Sequence, residues 1–526
     1  MINEDQAGFI LKRSLYDHTK TTQLVIEHSE LMEQNGCIIA LDQEKAYDKI
    51  DHEYLWEVLE HSGFPRVFIN RVKEMYKNTG KAIMMNGVIS KQFKVKRGVH
   101  QGDPMSCLLY DFAIEPLAES IRASDLKGLK INDSIERLLV NLFADDTLVY
   151  MAEDDNMKTL EEIIATFCTA STAKFNIEKT EILPIGEENY RQKMIRERKM
   201  GENIIEANKK IIKEGESMRT LGSWVGNKKN DNVQWEKIIK SQEKIINIWS
   251  KMNMSTRGKE LVLKALVQSK AMFLATVNGM SKETEEKMVK LYKEFIWNGK
   301  KRGLMSWDQI INPRKKGGLG IPDLKSRVKA IEVMWIKRWL SPKKTRPKWA
   351  YILDMIKNKN AAKEPIVEEA SRANWLLQSW NESEAKGSKN TESKISENIR
   401  RMLKIARKYN ITEIAPKYNK ETKEEQPLWH NILMNKANYL WNKKTAKCLR
   451  NNHKIMTIGD LIRDRDEHKC RAACTRMREK LIKIIPEIIN PLKGTPEKIR
   501  EKNLDHTPKR IKENQQNKNK KNLIQK

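Results

Sequence analysis

Two adjacent aspartates sit inside an otherwise apolar, β-prone run, Leu138-Leu139-Val140-Asn141-Leu142-Phe143-Ala144-Asp145-Asp146-Thr147-Leu148-Val149-Tyr150. Flanking β-formers around a short polar centre predict a hairpin with both acids at its turn. Upstream, the continuous apolar stretch Cys37-Ile38-Ile39-Ala40-Leu41 ends in a third acid, Asp42. Such a run suits a strand buried on both faces, which projects its next residue at the end of the sheet. Singly these features are ordinary, since acids at turns and strand ends usually do nothing more than turn the chain. Together they constrain the fold, because three carboxylates brought to one place repel unless a divalent cation lies among them. The pattern therefore asks for strand 37–41 beside the hairpin, and it fits a site for nucleotidyl transfer.

Composition points to the partner. The 526 residues carry 99 Lys and Arg against 70 Asp and Glu, a formal charge of +29, spread along the whole length. Part of this excess is a solvated lysine-rich surface. An excess of that size still gives a positive field that attracts polyanions, nucleic acid above all. The mean hydropathy is −0.68. No apolar run reaches the roughly 18 residues of a membrane span, and neither a lipid signal nor a basic amphipathic anchor is evident. The polar start Met1-Ile2-Asn3-Glu4-Asp5 is no signal peptide, and six scattered cysteines suit reduced thiols inside a cell.

Residues 1–200 mix short apolar runs with helical periodicity, as an α+β domain does. Leu160, Ile163, Ile164 and Phe167 mark one face of a helix that should pack on the sheet carrying the acids. From about residue 230 the periodicity is helical, with Trp235, Ile238, Ile239, Ile246 and Trp249 in register and Ser255 as an N-cap. Pro313 to Pro322 reads as a basic glycine-rich loop, 381–390 as a linker and the last residues as a disordered basic tail.

Between the acids lies Arg97-Gly98-Val99-His100-Gln101-Gly102-Asp103-Pro104-Met105-Ser106. Its glycines allow close backbone approach to a ligand, Arg97 and Gln101 supply donors, and Pro104 is placed to open the next helix. An ordinary glycine-bearing loop is the plain alternative.

In this order the segments resemble the reverse transcriptase of non-LTR (long interspersed element) retrotransposons. The resemblance rests on Leu41-Asp42 through Ala46-Tyr47-Asp48, Arg97-Gly98 with Gln101-Gly102-Asp103-Pro104 and Ser106, and Phe143-Ala144-Asp145-Asp146. It continues through Asn176-Ile177-Glu178-Lys179-Thr180 and Leu221-Gly222, with Gln6-Ala7-Gly8-Phe9 and Arg13-Ser14 upstream. Downstream, Phe295-Ile296-Trp297, Gly317-Gly318-Leu319 and Pro322-Asp323-Leu324 extend it to about residue 340.

The resemblance implies an α+β right-hand polymerase. Residues 1–210 would form fingers and a palm with a ferredoxin-like antiparallel sheet, and 211–300 the palm end and an all-α thumb. Residues 301–505 would be a helical C-terminal region and 506–526 the tail. Asp42, Asp145 and Asp146 would be the catalytic metal ligands for two Mg²⁺ ions, with Mn²⁺ as a substitute. Arg13, Tyr47, Gln101, Gly102 and Lys179 would face the nucleotide, Tyr47 as a gate against the 2′-hydroxyl. Arg97, Leu221 and Gly222 would face primer and template. The partners implied are an RNA template, a DNA primer or target and dNTPs, in the nucleus.

The chain departs from that pattern at Cys107, where a proline is common, and at Thr220, where an aromatic is common. It begins inside the fingers with no endonuclease segment ahead, so the resemblance implies an N-terminally truncated element. A catalytically dead remnant that only binds nucleic acid and an intron maturase-like protein are the competing readings. His468, Cys470 and Cys474, with Cys448 and His453 nearby, offer no clean two-plus-two zinc spacing and read as incidental thiols. Gly317-Gly318-Leu319-Gly320 lacks the Gly-Lys-Ser/Thr of a phosphate loop, and Trp297, Trp307, Trp335 and Trp339 read as packing residues.

Overall fold

The computed structural model describes residues 2–77, 80–131, 137–300, 303, 305–341, 345–359, 396–409, 424, 428–429, 444–463 and 472–489. The chain divides into two compact units, Met1–Lys359 with Lys394–Ile405, and Asn360–Ser393 with Ala406–Lys526. The linker 381–390 and tail 506–526 read from the sequence lie outside the described residues.

The first unit begins with α1 (Leu15–Met32), β1 (Gly36–Leu41), α2 (Ala46–Lys49), α3 (His52–His61) and α4 (Arg66–Lys77). Four two-residue strands follow, β2 (Gly80–Lys81), β3 (Met84–Met85), β4 (Val88–Ile89) and β5 (Phe93–Lys94). Next come α5 (Ser106–Ala123), β6 (Val140–Phe143), β7 (Asp146–Ala152), α6 (Met157–Ser171), β8 (Glu181–Ile185) and α7 (Glu188–Glu197). Short strands β9 (Lys199–Met200), β10 (Asn203–Ile204), β11 (Lys210–Ile211), β12 (Met218–Thr220) and β13 (Ser223–Val225) close the α+β part.

Five strands make the main sheet, in the order β11-β8-β1-β7-β6. The β6/β7, β7/β1 and β1/β8 pairs are antiparallel, and β11 joins β8 in parallel. The central strand β1 is buried along almost its whole length, as its unbroken apolar sequence requires. Above the sheet α5 and α6 complete one core, in which Leu109, Tyr110, Ile114 and Leu117 of α5 meet Leu160 and Phe167 of α6. Ile163 and Ile164 pack against that core half-buried. Helix α5 opens at Ser106 rather than at Pro104, and Asp103 Oδ1 accepts from Met105 N at 3.1 Å just ahead of it.

The rest of this unit is helical. It comprises α8 (Asn232–Ser250), α9 (Thr256–Val262), a π-helical turn over Leu263–Gln268, α10 (Ser269–Val277), α11 (Lys282–Ile296), α12 (Trp307–Ile311), α13 (Leu324–Trp339) and α14 (Lys348–Lys359). Ser255 caps α9 through Gly258 N. Trp335 and Trp339 are buried, and Trp297 and Trp307 pack edge to face with ring centroids 6.4 Å apart. In the basic loop, Arg314 pairs with the buried Glu260, while Lys315 and Lys316 stay exposed.

Later helices are α15 (Glu397–Lys408), α16 (Lys444–Asn451), α17 (Ile458–Arg463) and α18 (Ala472–Ile489). No helix among the described residues is long and apolar enough to cross a membrane.

Candidate active site

The three acids meet at one end of the sheet. Leu41 of β1 pairs with Thr147 of β7, and one further step in that register brings Asp42 opposite Asp146. At that spacing facing Cα atoms stand about 5 Å apart. Phe143 pairs with Asp146 across the hairpin, so Ala144 and Asp145 alone form the turn and Asp146 is the first residue of β7. The acids act on one another. Burial, then the charge of Asp42, raises the Asp145 carboxyl above the usual carboxylate range, against its own backbone hydrogen bond. Desolvation in the hairpin mouth, then Asp145 and Asp42, pushes Asp146 up to about 6, and Arg219 on β12 opposes them. Lys179 lies 3.5 Å from Asp42.

Turn geometry explains how the pair is held. Ala144 has φ +53°, a left-handed conformation that costs a side-chain-bearing residue on the order of 1 kcal/mol. The N-terminal segment holds it there. Ala7 N donates to Leu142 O and Leu142 N to Asp5 O, each at 2.8 Å. The buried Gln6 Oε1 accepts from both Gly8 N (2.8 Å) and Ala144 N (3.0 Å). A Cβ on Gly8 would stand 2.5 Å from Ala144 N, so only glycine permits this approach. Phe9 then faces Phe143, with ring centroids 6.4 Å apart. Residues 5–9 are thus a clasp on the aspartate turn.

A second loop is laced to the segment after Asp42. Gly98 N donates to Ile50 O and Val99 N to Tyr47 O, both at 2.7 Å, and His52 Nε2 contacts Gly98 O at 2.9 Å. Gly98 has φ +86°, and a Cβ there would strike the Asp48 backbone at 2.7 Å. Beyond it Gln101 is exposed and Gly102 has φ +94° with open space around it, while Arg97 is exposed opposite Asp51. Tyr47 is half-buried and stacks on Tyr110 with centroids 4.6 Å apart. The Tyr110 hydroxyl donates to Gln43 Oε1, which ties the stack to the residue after Asp42. Burial and the Cys107 thiol raise the Tyr47 phenol well above its ordinary value.

Leu221 (φ +48°) and Gly222 (φ +72°) form the two-residue turn between β12 and β13, and a Cβ on Gly222 would meet the Phe273 ring at 2.8 Å. Arg13, predicted to reach a triphosphate, donates instead to the backbone carbonyls of Ile2, Asn3 and Gln6. Sequence reasoning overlooked Arg219 and Gln6. It also overlooked Asp111 on α5, a fully buried carboxyl with no hydrogen-bond partner among the described residues. Only its spacing after Tyr110 could have flagged it. In the second unit Cys448, His453 and Cys474 converge, whereas His468 and Cys470 lie outside the described residues.

Residues 1–224 match the family model described as reverse transcriptase (RNA-dependent DNA polymerase). That stretch is a reverse transcriptase domain, built on a mixed helix-and-sheet frame with its acids at one sheet end. Its relatives are narrower in kind. The chain is 25% identical over 345 residues to the Transposon TX1 uncharacterized 149 kDa protein of Xenopus laevis, covering 65% of this chain and 25% of that one. It is 28% identical over 174 residues to the retrovirus-related Pol polyprotein from type-2 retrotransposable element R2DM of Drosophila melanogaster, covering 33% and 16%. A third relative is the Pol polyprotein from type-1 retrotransposable element R2 of Nasonia vitripennis, 25% identical over 153 residues and covering 29% and 14%. The domain is of the non-LTR retrotransposon kind. This chain spans a quarter or less of the length of these relatives.

Proposed function

We propose that the chain is an RNA-directed DNA polymerase of a non-LTR retroelement. It extends a DNA 3′ end along an RNA template with dNTPs. The observation that carries this reading is the register that sets Asp42 against the Asp145-Asp146 hairpin at one sheet end. Residues 1–210 then serve as fingers and palm, 211–300 as palm end and thumb, 301–505 as a helical C-terminal region and 506–526 as a basic tail. By the same reading the protein works in the nucleus, where chromosomal DNA supplies primer ends.

The donor set suits a hard divalent ion. Three carboxylates that raise one another's proton affinity, countered only by Lys179 and Arg219 among the described contacts, form a site that gains by taking up positive charge. Asp42, Asp145 and Asp146 would hold Mg²⁺. The chemistry supplied by the bound ions is activation of the primer 3′-hydroxyl and neutralisation of the departing pyrophosphate. The protein's own contribution is positioning and charge. The clasp on Ala144 fixes the angle at which two of the acids are offered. Tyr47, braced by Tyr110, closes the sugar pocket, with Gln101 and Gly102 beside the base and template. Lys179 stands ready to meet negative charge leaving the site. Arg97, Leu221 and Gly222 face the primer–template backbone, where the turn glycine avoids collision.

The test is extension of a labelled DNA primer annealed to RNA by the purified full chain, in Mg²⁺ and separately in Mn²⁺. Extension that disappears in Asp145→Asn supports the reading. Tight RNA or DNA binding without extension, identical in wild type and Asp145→Asn, would establish the binding-only remnant instead.

A further inference from the structure

The second unit brings together three side chains that the polymerase reading leaves without a role. Cys448 lies in the last turns of α16, and the chain then reverses through 451–454, where Lys454 takes φ +54°. Hydrogen bonds from His453 N to Cys448 O (3.4 Å) and from Ile455 N to Leu449 O (3.1 Å) fold His453 back over the helix end. Cys474 arrives from elsewhere, in the first turn of α18. One donor atom from each of Cys448, His453 and Cys474 lies within 4.8 Å of the other two. In a tetrahedral zinc site, bonds of about 2.3 Å to sulfur and 2.0 Å to nitrogen put neighbouring donors roughly 3.3–3.8 Å apart. Closing the present triangle onto an ion therefore takes side-chain movements of about an ångström.

We propose that Cys448, His453 and Cys474 form a zinc site that staples the second unit. The donor set selects the ion, because two thiolates and an imidazole favour zinc over the hard cations suited to the aspartate site. Charge balances as well, since two thiolates neutralise Zn²⁺. The flanking Lys444, Lys447, Lys454 and Arg476 favour the thiolate form. The floor of the site is dry. Cys474 is buried within a cluster that includes Leu449, Ile455, Met456, Met477 and Leu481, and Cys448 packs on its edge. That cluster is small, and small cores are the ones that gain most from a metal staple, because the binding energy of a structural ion is folding energy. Proton release on binding follows from the two thiols, so affinity falls as pH is lowered.

The full chain, purified without chelator, should carry one zinc per molecule. Co²⁺ replacement should give the strong visible bands of a tetrahedral ion together with thiolate-to-metal charge transfer. Cys448→Ser, Cys474→Ser and His453→Gln should each lose the ion, while Cys168→Ser, remote on α6, should keep it. Misfolding of those variants is separated from ligand loss by His453→Cys, which should retain the ion and gain a third thiolate's charge-transfer intensity. Removing zinc from the wild type should make residues around α16 to α18 more open to protease, with zinc alone restoring protection. Absence of zinc from the wild type would overturn the site. So would equal zinc in the Cys448→Ser/Cys474→Ser double variant, or an octahedral cobalt spectrum. None of these readouts depends on polymerase activity.

Discussion

Asp111→Asn should make the protein more stable, and the gain should grow with pH. Asp111 is fully buried on α5, with no hydrogen-bond donor to either carboxyl oxygen among the described residues. Burial raises its pKa to about 8, Arg13 opposes the rise and Glu115 adds to it. An unfolded aspartate ionises near 3.9, so between those two values the unfolded chain releases a proton that the native chain retains. Stability is then fully present below the unfolded pKa and is lost steadily as pH rises towards the folded one. At about 1.4 kcal/mol per pH unit, the loss from about pH 5 to pH 7 is close to 3 kcal/mol. Asparagine cannot ionise and nearly matches the shape, so its own cost is a constant offset. Denaturant or thermal midpoints of both proteins, measured from about pH 5 to pH 8, should therefore diverge over that range and run parallel above it. A difference that stays flat with pH would refute the claim that Asp111 is held neutral.

Two further substitutions probe the clasp and the gate. Gly8→Ala places a methyl group 2.5 Å from Ala144 N, so the aspartate turn must shift. Primer extension should fall by on the order of 100-fold, the scale of a misplacement of about 1 Å, with RNA binding preserved. Activity within twofold of wild type would mean that the N-terminal segment does not position the acids. Tyr47→Ala removes the ring stacked on Tyr110. It should raise ribonucleotide incorporation relative to deoxynucleotide in a competition assay, and unchanged sugar selection would remove the gate from Tyr47.

The site was legible where chemistry and local pattern coincide. Apolar residues 37–41 and 138–150 announce buried strands whatever surrounds them, and their acids can only be end-of-sheet residues. The register that joins them is a long-range fact, and no local rule supplies it. Helix α1 shows the opposite limit. Its Thr19, Thr21, Thr22 and Gln23 are polar yet buried, because their partners come from far along the chain. Thr22 Oγ1 meets the Tyr150 hydroxyl at 2.9 Å, and Gln23 Nε2 donates to Val277 O at 2.7 Å. Asp17 is shared between Trp349 and Arg338. Periodicity reads such a helix as a surface element, since it weighs polarity and cannot see satisfaction.

The same blindness hid the role of Gln6-Ala7-Gly8-Phe9, whose resemblance to a family motif was visible but whose work was not. Its physical logic emerges only from the turn it holds. A strained Ala144 would relax if left alone, and relaxation would swing Asp145 away from Asp42. Two hydrogen bonds to one buried amide oxygen, and a glycine where nothing larger fits, oppose that relaxation. Strain stored at the turn and constraint supplied by a remote segment are two halves of one device. The carboxylates are therefore positioned before any ion or nucleotide arrives, and the residues that set their geometry lie more than a hundred positions away in the chain.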